Sequence, residues 1–167
     1  MNTIDYFQRL SQYNQWMNEK IYQVCAFIPD EVRREDKKAF FDSIHGTLNH
    51  ILLADKLWLS RFKKYTFEFK SLREELVTEF DLLWEERQKT DQEIQTYIDS
   101  LTEEKLLESW SFNSHSQQRK CTFLLWHLLQ HFFNHQTHHR GQLTTLISQC
   151  GYDFGVTDLL WLPGVEF

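Results

Sequence analysis

The chain has 167 residues, of which 41% are hydrophobic, 25% are charged and 16% are aromatic, and its formal net charge is −6. This length predicts one domain over residues 1–167, large enough to bury about 70% of its unfolded surface. The sequence argues against two classes of partner, because its basic residues form no stripe for a nucleic-acid backbone and no apolar run approaches the roughly 18 residues of a membrane span.

The first half of the chain predicts two amphipathic helices. Apolar side chains recur at three- and four-residue spacing over residues 3–27, as they do on the core-facing side of a helix, and Pro29 ends this segment. A second helix is predicted to begin at Asp42 or Ser43, since either residue is a good N-cap, and to run to about residue 62.

The second half predicts two more helices. A charged amphipathic segment over residues 71–101 is predicted as the third helix, and the polar residues 109–120 are predicted as an irregular loop. Thr122 is predicted to cap the last helix, and Gly151 falls just past its end, where a left-handed residue is favoured. The aromatic tail is expected to dock on the bundle. Four such helices without an alternating strand pattern predict an all-α four-helix bundle with strand content near zero.

The cysteines favour a reducing compartment. Cys25, Cys121 and Cys150 form no CxxC pair and their number is odd, which is typical of reduced thiols rather than of a disulfide scaffold. The amino-terminal segment is polar and amphipathic, unlike a signal peptide. A cytoplasmic protein is therefore expected.

The last predicted helix carries five of the chain's eight histidines. They are His127, His131, His135, His138 and His139. Residues four apart on a helix lie about 5–6 Å apart at Cβ, and two imidazoles at this spacing can reach one metal ion at about 2 Å each. Successive steps of four turn by about 40°, so His135 and His139 form a compact pair, whereas His127 lies about 120° from His139.

A third ligand must come from another helix. His45 and His50 on the second helix are the plausible donors, whereas His115 lies in the polar loop. His50 is favoured because it falls in the middle of its helix, while a polar residue near a helix start is unremarkable. Ala54, Leu57 and Arg61 follow His50 at spacings of four, three and four residues, so they lie on the same face of the helix. Three neutral imidazoles with open coordination positions match a catalytic site for a divalent metal, either zinc, nickel or iron.

Most of the other histidines have simpler interpretations. Isolated histidines on a helix are usually surface residues or satisfied core residues, which is the preferred interpretation of His115, His127 and His138. His131, one turn before His135, is a candidate hydrogen-bond partner of a ligand. The string HLLQH lacks the glutamate general base of a zinc protease. No glutamate stands three residues before a histidine, as ferritin-type di-iron sites require.

Four segments together carry a family resemblance. Residues 134–142, NHQTHHRGQ, resemble the NHxTHHRGQ signature of the DinB/YfiT-like family of four-helix proteins. Residues 43–52, SIHGTLNHIL, are similar to the second-helix motif of that family. The segments YNQWMN at 13–18 and VTDL at 156–159 match as well. The resemblance therefore spans essentially the whole chain, in the expected order.

The resemblance implies a metal-binding bundle that forms homodimers. In the family one histidine of the second helix and two of the last helix bind a divalent metal, and they correspond to His50, His135 and His139, the trio that helix geometry also favours. Characterised relatives include thiol-dependent S-transferases and a thiol-dependent isomerase. A small-molecule thiol and an electrophile are therefore the expected partners.

Further residues are candidates for supporting roles. Those that could line or orient the site are Tyr6, Asn14, Asp55, Trp58 and Arg140. For Asp55 we favour fixing another helix or a histidine, and for Arg140 a structural ion pair. The aromatic residues in excess of a core's needs, which favour a buried partner surface, include Trp84, Trp110 and Trp161.

Three functions follow from such a site. The leading hypothesis is a metal-dependent thiol S-transferase in stress response or detoxification, because a divalent ion deprotonates a bound thiol and the thiolate is the nucleophile. The second is a metal-hydroxide hydrolase of a small ester or amide, since the same ion lowers the pKa of a bound water to about 7. The third is a non-catalytic metal-binding dimeric stress protein. No side chain is assigned a catalytic role, and both enzyme hypotheses require a pocket that opens above the metal.

Overall fold

Four long helices form the bundle that the periodicity predicts. The computed structural model describes residues 2–114 and 117–164, so His115 lies outside the described residues. The helices are α1 (Thr3–Ala26), α2 (Asp30–Arg34), α3 (Ile44–Lys63), α4 (Phe80–Asp99), α5 (Glu103–Leu106) and α6 (Leu125–Gln149). Two strands, β1 (Ser109–Ser114) and β2 (Arg119–Leu124), and a 3-10 helix (Leu159–Trp161) complete the described elements. The fold is all-α apart from this one small sheet.

Local sequence signals set the helix ends. The first helix begins at a capping box in which the side chains of Asn2 and Asp5 each accept the other's backbone N–H. Ser43 caps α3, as predicted, by accepting the N–H of Gly46 at 2.9 Å. The left-handed residue predicted after the last helix is confirmed, because Gly151 has a φ of 84°.

The apolar side chains form two clusters at opposite ends of the bundle. One cluster joins the first halves of α1 and α6 to the last halves of α3 and α4. The other joins the remaining halves of the same four helices. Helices α1 and α6 therefore run parallel to each other and antiparallel to α3 and α4. The closest packing is between α1 and α4 and between α3 and α6.

A layer of buried polar side chains lies between the two apolar clusters. Arg87 of α4 donates to Asp55 of α3 at 2.6 Å and forms an ion pair with Asp91, one turn along its own helix, at 2.9 Å. Gln136 of α6 donates to Asp55 at 2.9 Å, and Asn18 of α1 donates to Asp91 at 3.0 Å. Burial opposes the charge of Arg87, but the two neighbouring carboxylates raise its pKa above the ordinary value. All four long helices are joined through this one arginine and its partners.

The segment predicted as an irregular loop forms a hairpin instead. Strands β1 and β2 pair antiparallel along their whole length. The prediction of near-zero strand content is wrong for this segment. Thr122 lies in β2, where its hydroxyl hydrogen-bonds that of Ser111 at 2.7 Å, and α6 begins only at Leu125.

Small polar residues conceal the strand pattern of β1. Trp110 is buried and Phe112 is half-buried, whereas the residues on either side of each are exposed. Burial therefore alternates from one residue to the next, as in a strand that packs one face against the core. Because serine and asparagine are also common in loops, the sequence around the two aromatic residues predicts a loop.

Helix α4 begins at Phe80, later than the predicted residue 71. Side chains of α3 bind the backbone of the preceding segment. Asn49 accepts the N–H of Val77 at 3.0 Å and donates to its carbonyl at 3.1 Å, and His50 binds the carbonyl of Leu72 at 2.9 Å. These bonds hold the segment irregular against α3, although its own sequence has a helical pattern.

The aromatic tail docks on α1, as predicted. The Tyr13 hydroxyl donates to the carbonyl of Thr157 at 2.5 Å, Lys20 donates to the carbonyl of Val156, and Leu162 is buried. In the described part of the chain, no helix combines the length and the apolar character that crossing a membrane requires.

We predict that Arg87→Met lowers the free energy of unfolding by about 3–5 kcal/mol, because it leaves two buried carboxylates without their cation. The measurement is equilibrium unfolding in urea. Lys38→Met is the matched control, since Lys38 pairs with Asp36 at the surface, and it should leave the midpoint unchanged. Equal midpoints for the two variants would contradict a structural role of the buried ion pair.

Candidate metal centre

The three predicted histidines meet at one point of the bundle. His50 comes from α3, and His135 and His139 come from successive turns of α6. One ring nitrogen from each lies within 4.8 Å of the others. The Nε2 atoms of His135 and His139 are 3.0 Å apart. Two imidazole nitrogens on one ion are separated by at most about 4 Å. The trio could therefore hold one ion after small side-chain adjustments.

Hydrogen bonds fix which nitrogen of each ring faces the centre. The Nδ1 atom of His50 lies 2.9 Å from the carbonyl oxygen of Leu72, which can only accept, so this nitrogen carries the proton. Nδ1 of His139 donates in the same way to Oε1 of Gln142 at 2.8 Å. Both rings thus keep a lone pair on Nε2. Such bonds orient the histidine ligands of protein metal sites.

An unpaired buried nitrogen of His50 indicates that the residues present fit a metal. Its Nε2 is buried and has no hydrogen-bond partner among the described residues. Leaving a buried acceptor unpaired costs about 1–3 kcal/mol. A divalent ion between His50, His135 and His139 would accept this lone pair. The donor set, three imidazoles and no carboxylate, suits a borderline metal such as zinc, nickel or iron.

Burial keeps the three rings neutral. It lowers the pKa of His50 to about 4 and that of His135 to about 3, and the neighbouring imidazoles add to the effect at His135. The pKa of His139 is lowered by the same cause. Neutral imidazole is the form that binds metal, so the site is ready for an ion at neutral pH without first losing protons.

Phe41 closes one side of the centre. Its ring stacks on His50 with centroids 3.7 Å apart and lies 5.5 Å from the ring of His139. The loop that carries Phe41 can approach because residue 46 is glycine. A Cβ at Gly46 would overlap the Phe41 carbonyl oxygen. The family motif glycine therefore positions an aromatic wall that keeps water away from two of the three ligands.

The other side of the centre opens into a cavity of about 690 Å³. This volume is within the range of about 300–1,000 Å³ of small-molecule sites. The face of α3 from His50 to Arg61 forms one wall, the inner side of the β-hairpin forms another, and α6 contributes His131 and His135. The cavity meets the requirement that both enzyme hypotheses place on the structure.

The remaining histidines do not join the trio, although the ring of His138 lies edge-on to that of His139 with centroids 4.9 Å apart. His45 is buried and binds Asn49 and the carbonyl of Val77, at 3.0 and 3.2 Å, which is a structural role. His127 and His138 are exposed, as preferred from the sequence, but His127 also lines the cavity described above. The ring of His131 lies 5.9 Å from that of His135, and among the described residues no hydrogen bond joins the two.

The candidate supporting residues divide into two groups. Trp58 lines the cavity, whereas Asn14, Asp55 and Arg140 belong to the buried polar layer and Tyr6 is exposed away from the cavity. Asp55 fixes other helices, as favoured above. For Arg140 the predicted ion pair is wrong. Its guanidinium donates to the side chains of Asn14 and Thr137, and no carboxylate of the described residues pairs with it.

Sequence reasoning missed two parts of the site. The backbone carbonyl of Leu72 carries no sequence signal. The hairpin wall of the cavity has a sequence that predicts a loop. On α3, the regular spacing from His50 to Arg61 favours His50 as a ligand but does not predict a cavity.

The chain is similar to known proteins over almost its whole length. The model of the DinB family matches residues 1–166. Protein DinB of Bacillus subtilis (strain 168) is 28% identical over 162 residues, which cover 92% of this chain and 91% of that protein. No solved structure matches the chain.

We predict that His139→Ala abolishes stoichiometric zinc binding, because two imidazoles alone hold zinc weakly. His138→Ala is the matched control, since this neighbour is exposed and outside the trio. Both proteins are loaded with zinc, dialysed and measured by elemental analysis. Equal zinc content in the two variants would contradict the assignment.

We further predict that Gln142→Leu lowers zinc affinity about 10–100-fold without changing the stoichiometry, because Gln142 orients His139. Zinc affinity is measured by competition with a chromogenic chelator. Gln149→Leu at the exposed end of α6 should bind zinc like the native chain. An unchanged affinity of Gln142→Leu would mean that His139 does not depend on this bond.

Proposed function

Because the chain belongs to the DinB family, we propose that it is a divalent-metal-dependent transferase. It activates a low-molecular-weight thiol for attack on an electrophile, in stress response or detoxification. The observation that carries the proposal is the cavity of about 690 Å³ that opens on His50 and His135. A purely structural metal site would be closed by a fourth protein ligand.

The metal would supply the activation of the thiol. A divalent ion held by three neutral imidazoles keeps its positive charge and favours the thiolate form of a bound thiol. His50, His135 and His139 would hold it, and the metal can be zinc, nickel or iron.

The protein's own residues prepare the site for this chemistry. Leu72 and Gln142 fix the ring orientations of His50 and His139. Phe41 excludes water on one side. On the other side the apolar cavity wall, including Trp58, leaves room for a thiol and a small electrophile together.

The cavity favours thiol transfer over hydrolysis. A metal-hydroxide hydrolase commonly uses a carboxylate as general base, and no aspartate or glutamate lines the cavity in the described part of the chain. Coordination lowers the pKa of a bound water only to about 7 but deprotonates a thiol outright, so the thiol depends less on such a base. The open cavity likewise favours an enzyme over a non-catalytic metal-binding protein.

Location and assembly belong to the same proposal. We place the protein in the cytoplasm, in agreement with three cysteines that form no disulfide. We propose a homodimer, which the exposed side chains of Leu160 and Trp161 support. Trp110 and Trp84, also expected at a partner surface, pack within their own chain on Arg61 and Tyr22.

We predict that the zinc-loaded protein accelerates the reaction of 1-chloro-2,4-dinitrobenzene with at least one member of a panel of cellular thiols. The rate of thioether formation is followed by absorbance. His139→Ala should lose about 100-fold or more, as expected when a metal activates the nucleophile. His138→Ala should retain the native rate.

Two other results of these assays would contradict the transferase and support one of the alternative functions. Thiol-independent hydrolysis of p-nitrophenyl acetate, lost in His139→Ala, would assign the hydrolase activity. Stoichiometric zinc with turnover of neither substrate class would assign the non-catalytic role.

A further inference from the structure

An arginine lies at the far end of the cavity from the histidine centre. The Arg61 guanidinium packs against two aromatic rings, with its carbon 4.5 Å from the centroid of Trp58 and 4.4 Å from that of Phe112. The two rings contact each other edge to face with centroids 5.3 Å apart, so the guanidinium lies in the angle between them. Trp58 belongs to α3 and Phe112 to the hairpin. Such cation–π contacts hold the guanidinium in place. They do not satisfy its N–H donors, which can still bind an acceptor.

Arg61 has no acidic partner among the described residues. Its side chain has ring contacts but no hydrogen bond or ion pair within residues 2–114 and 117–164. Burial lowers its pKa to about 10, in contrast to the buried Arg87, whose carboxylate partners raise its pKa. A partly desolvated cation without a counter-ion is costly to keep. Arg61 is therefore held in a state that an anion would stabilise.

The cavity as a whole has a charge opposite to that of the chain. Acidic residues make up 24 of the 167 residues, yet among the described residues none lines the cavity, whereas Arg61 and Arg119 both do. Arg119 is exposed at the start of β2. The cavity wall is thus largely apolar and carries two arginines, together with His127 and His131. This pattern is typical of a site for an apolar ligand with one anionic end.

The spacing along α3 sets the length of such a ligand. Eleven positions separate His50 from Arg61, which corresponds to about 16 Å of helix rise. Both side chains line the same cavity, and the long arginine side chain covers part of this distance. An ion of the size of acetate could not reach both ends.

We propose that Arg61 binds the carboxylate of an elongated ligand whose other end lies at the histidine centre. This proposal rests on the proposed function, because it takes that ligand to be one of the two transferase substrates. The planar fork of the guanidinium matches a carboxylate through two parallel N–H···O bonds. Phe112 gives the hairpin a role as well, since its ring packs against the guanidinium next to the ring of Trp58.

The test uses matched probes on the protein loaded with cobalt(II), whose absorption reports a thiolate at the metal. One series consists of ω-mercaptocarboxylates of six to eleven carbons, and its neutral counterpart consists of the ω-mercaptoalcohols of the same lengths. A second pair of series lacks the thiol. Binding constants are measured by calorimetry for the native chain, Arg61→Met, Arg61→Lys and Arg9→Met. Arg9 is the matched control, because it is an exposed arginine on α1.

We expect the longer acids to bind about tenfold more tightly than the alcohols of the same length, which corresponds to one charge-assisted hydrogen-bond contact. This difference, the carboxylate advantage, should be absent for the shorter probes. Arg61→Met should abolish it, Arg61→Lys should retain part of it, and Arg9→Met should leave it unchanged. Equal binding of acid and alcohol by the native chain would overturn the proposal without reference to any variant. An advantage that persists in a folded Arg61→Met protein would overturn it too.

The thiol-free series separates this proposal from the proposed function. One possible result is that the acids bind more tightly than the alcohols with and without a thiol, that this difference depends on Arg61, and that no thiol changes the cobalt spectrum. This result would contradict thiol activation by the metal and support the carboxylate site. A thiol-induced change of the cobalt spectrum without tighter binding of the acids would support the thiol chemistry and overturn the carboxylate site.

Discussion

The ion pairs of Arg87 with Asp55 and Asp91 are the constraint on which the rest of the structure depends. Two aspartates and the arginines Arg87 and Arg140 are buried in the middle of the bundle. Buried charges are tolerated only when hydrogen bonds satisfy them with good geometry. Apolar clusters can repack after a small slide of one helix, whereas these bonds would break. The polar layer therefore fixes the rotation and the axial position of all four long helices.

The polar layer also positions the helices that supply the metal ligands. Gln136, which binds Asp55 at 2.9 Å, directly follows His135, and Asp55 lies five positions after His50. One hydrogen bond between α3 and α6 thus sets the rotation of both helices that supply ligands. The network continues outward, since Asn49 and His50 hold the segment before α4 through Val77 and Leu72. The ligand orientation and the course of that segment are consequences of the same helix placement.

Sequence alone predicts those parts of the molecule that depend on local periodicity. The four long helices follow from apolar spacing, and the choice of His50, His135 and His139 follows from the 100° turn per residue together with the family resemblance. The errors occur where contacts distant in sequence decide the structure. Residues 71–79 have a helical pattern, but α3 side chains bind their backbone. The hairpin was missed because only Trp110 and Phe112 carry its alternation. The cavity depends on both segments and could not be predicted without them.

Arg61 shows how one helix face can serve both ends of a site. The same face of α3 presents His50 at one end of the cavity and Arg61 at the other, so the polar layer that fixes α3 also fixes the distance between them. The net charge of −6 does not oppose an anionic ligand there. Charges at the surface are screened over about 8 Å at physiological ionic strength. Inside the cavity, where the walls are largely apolar and no carboxylate of the described residues is present, Arg61 and Arg119 therefore favour a ligand with an anionic end.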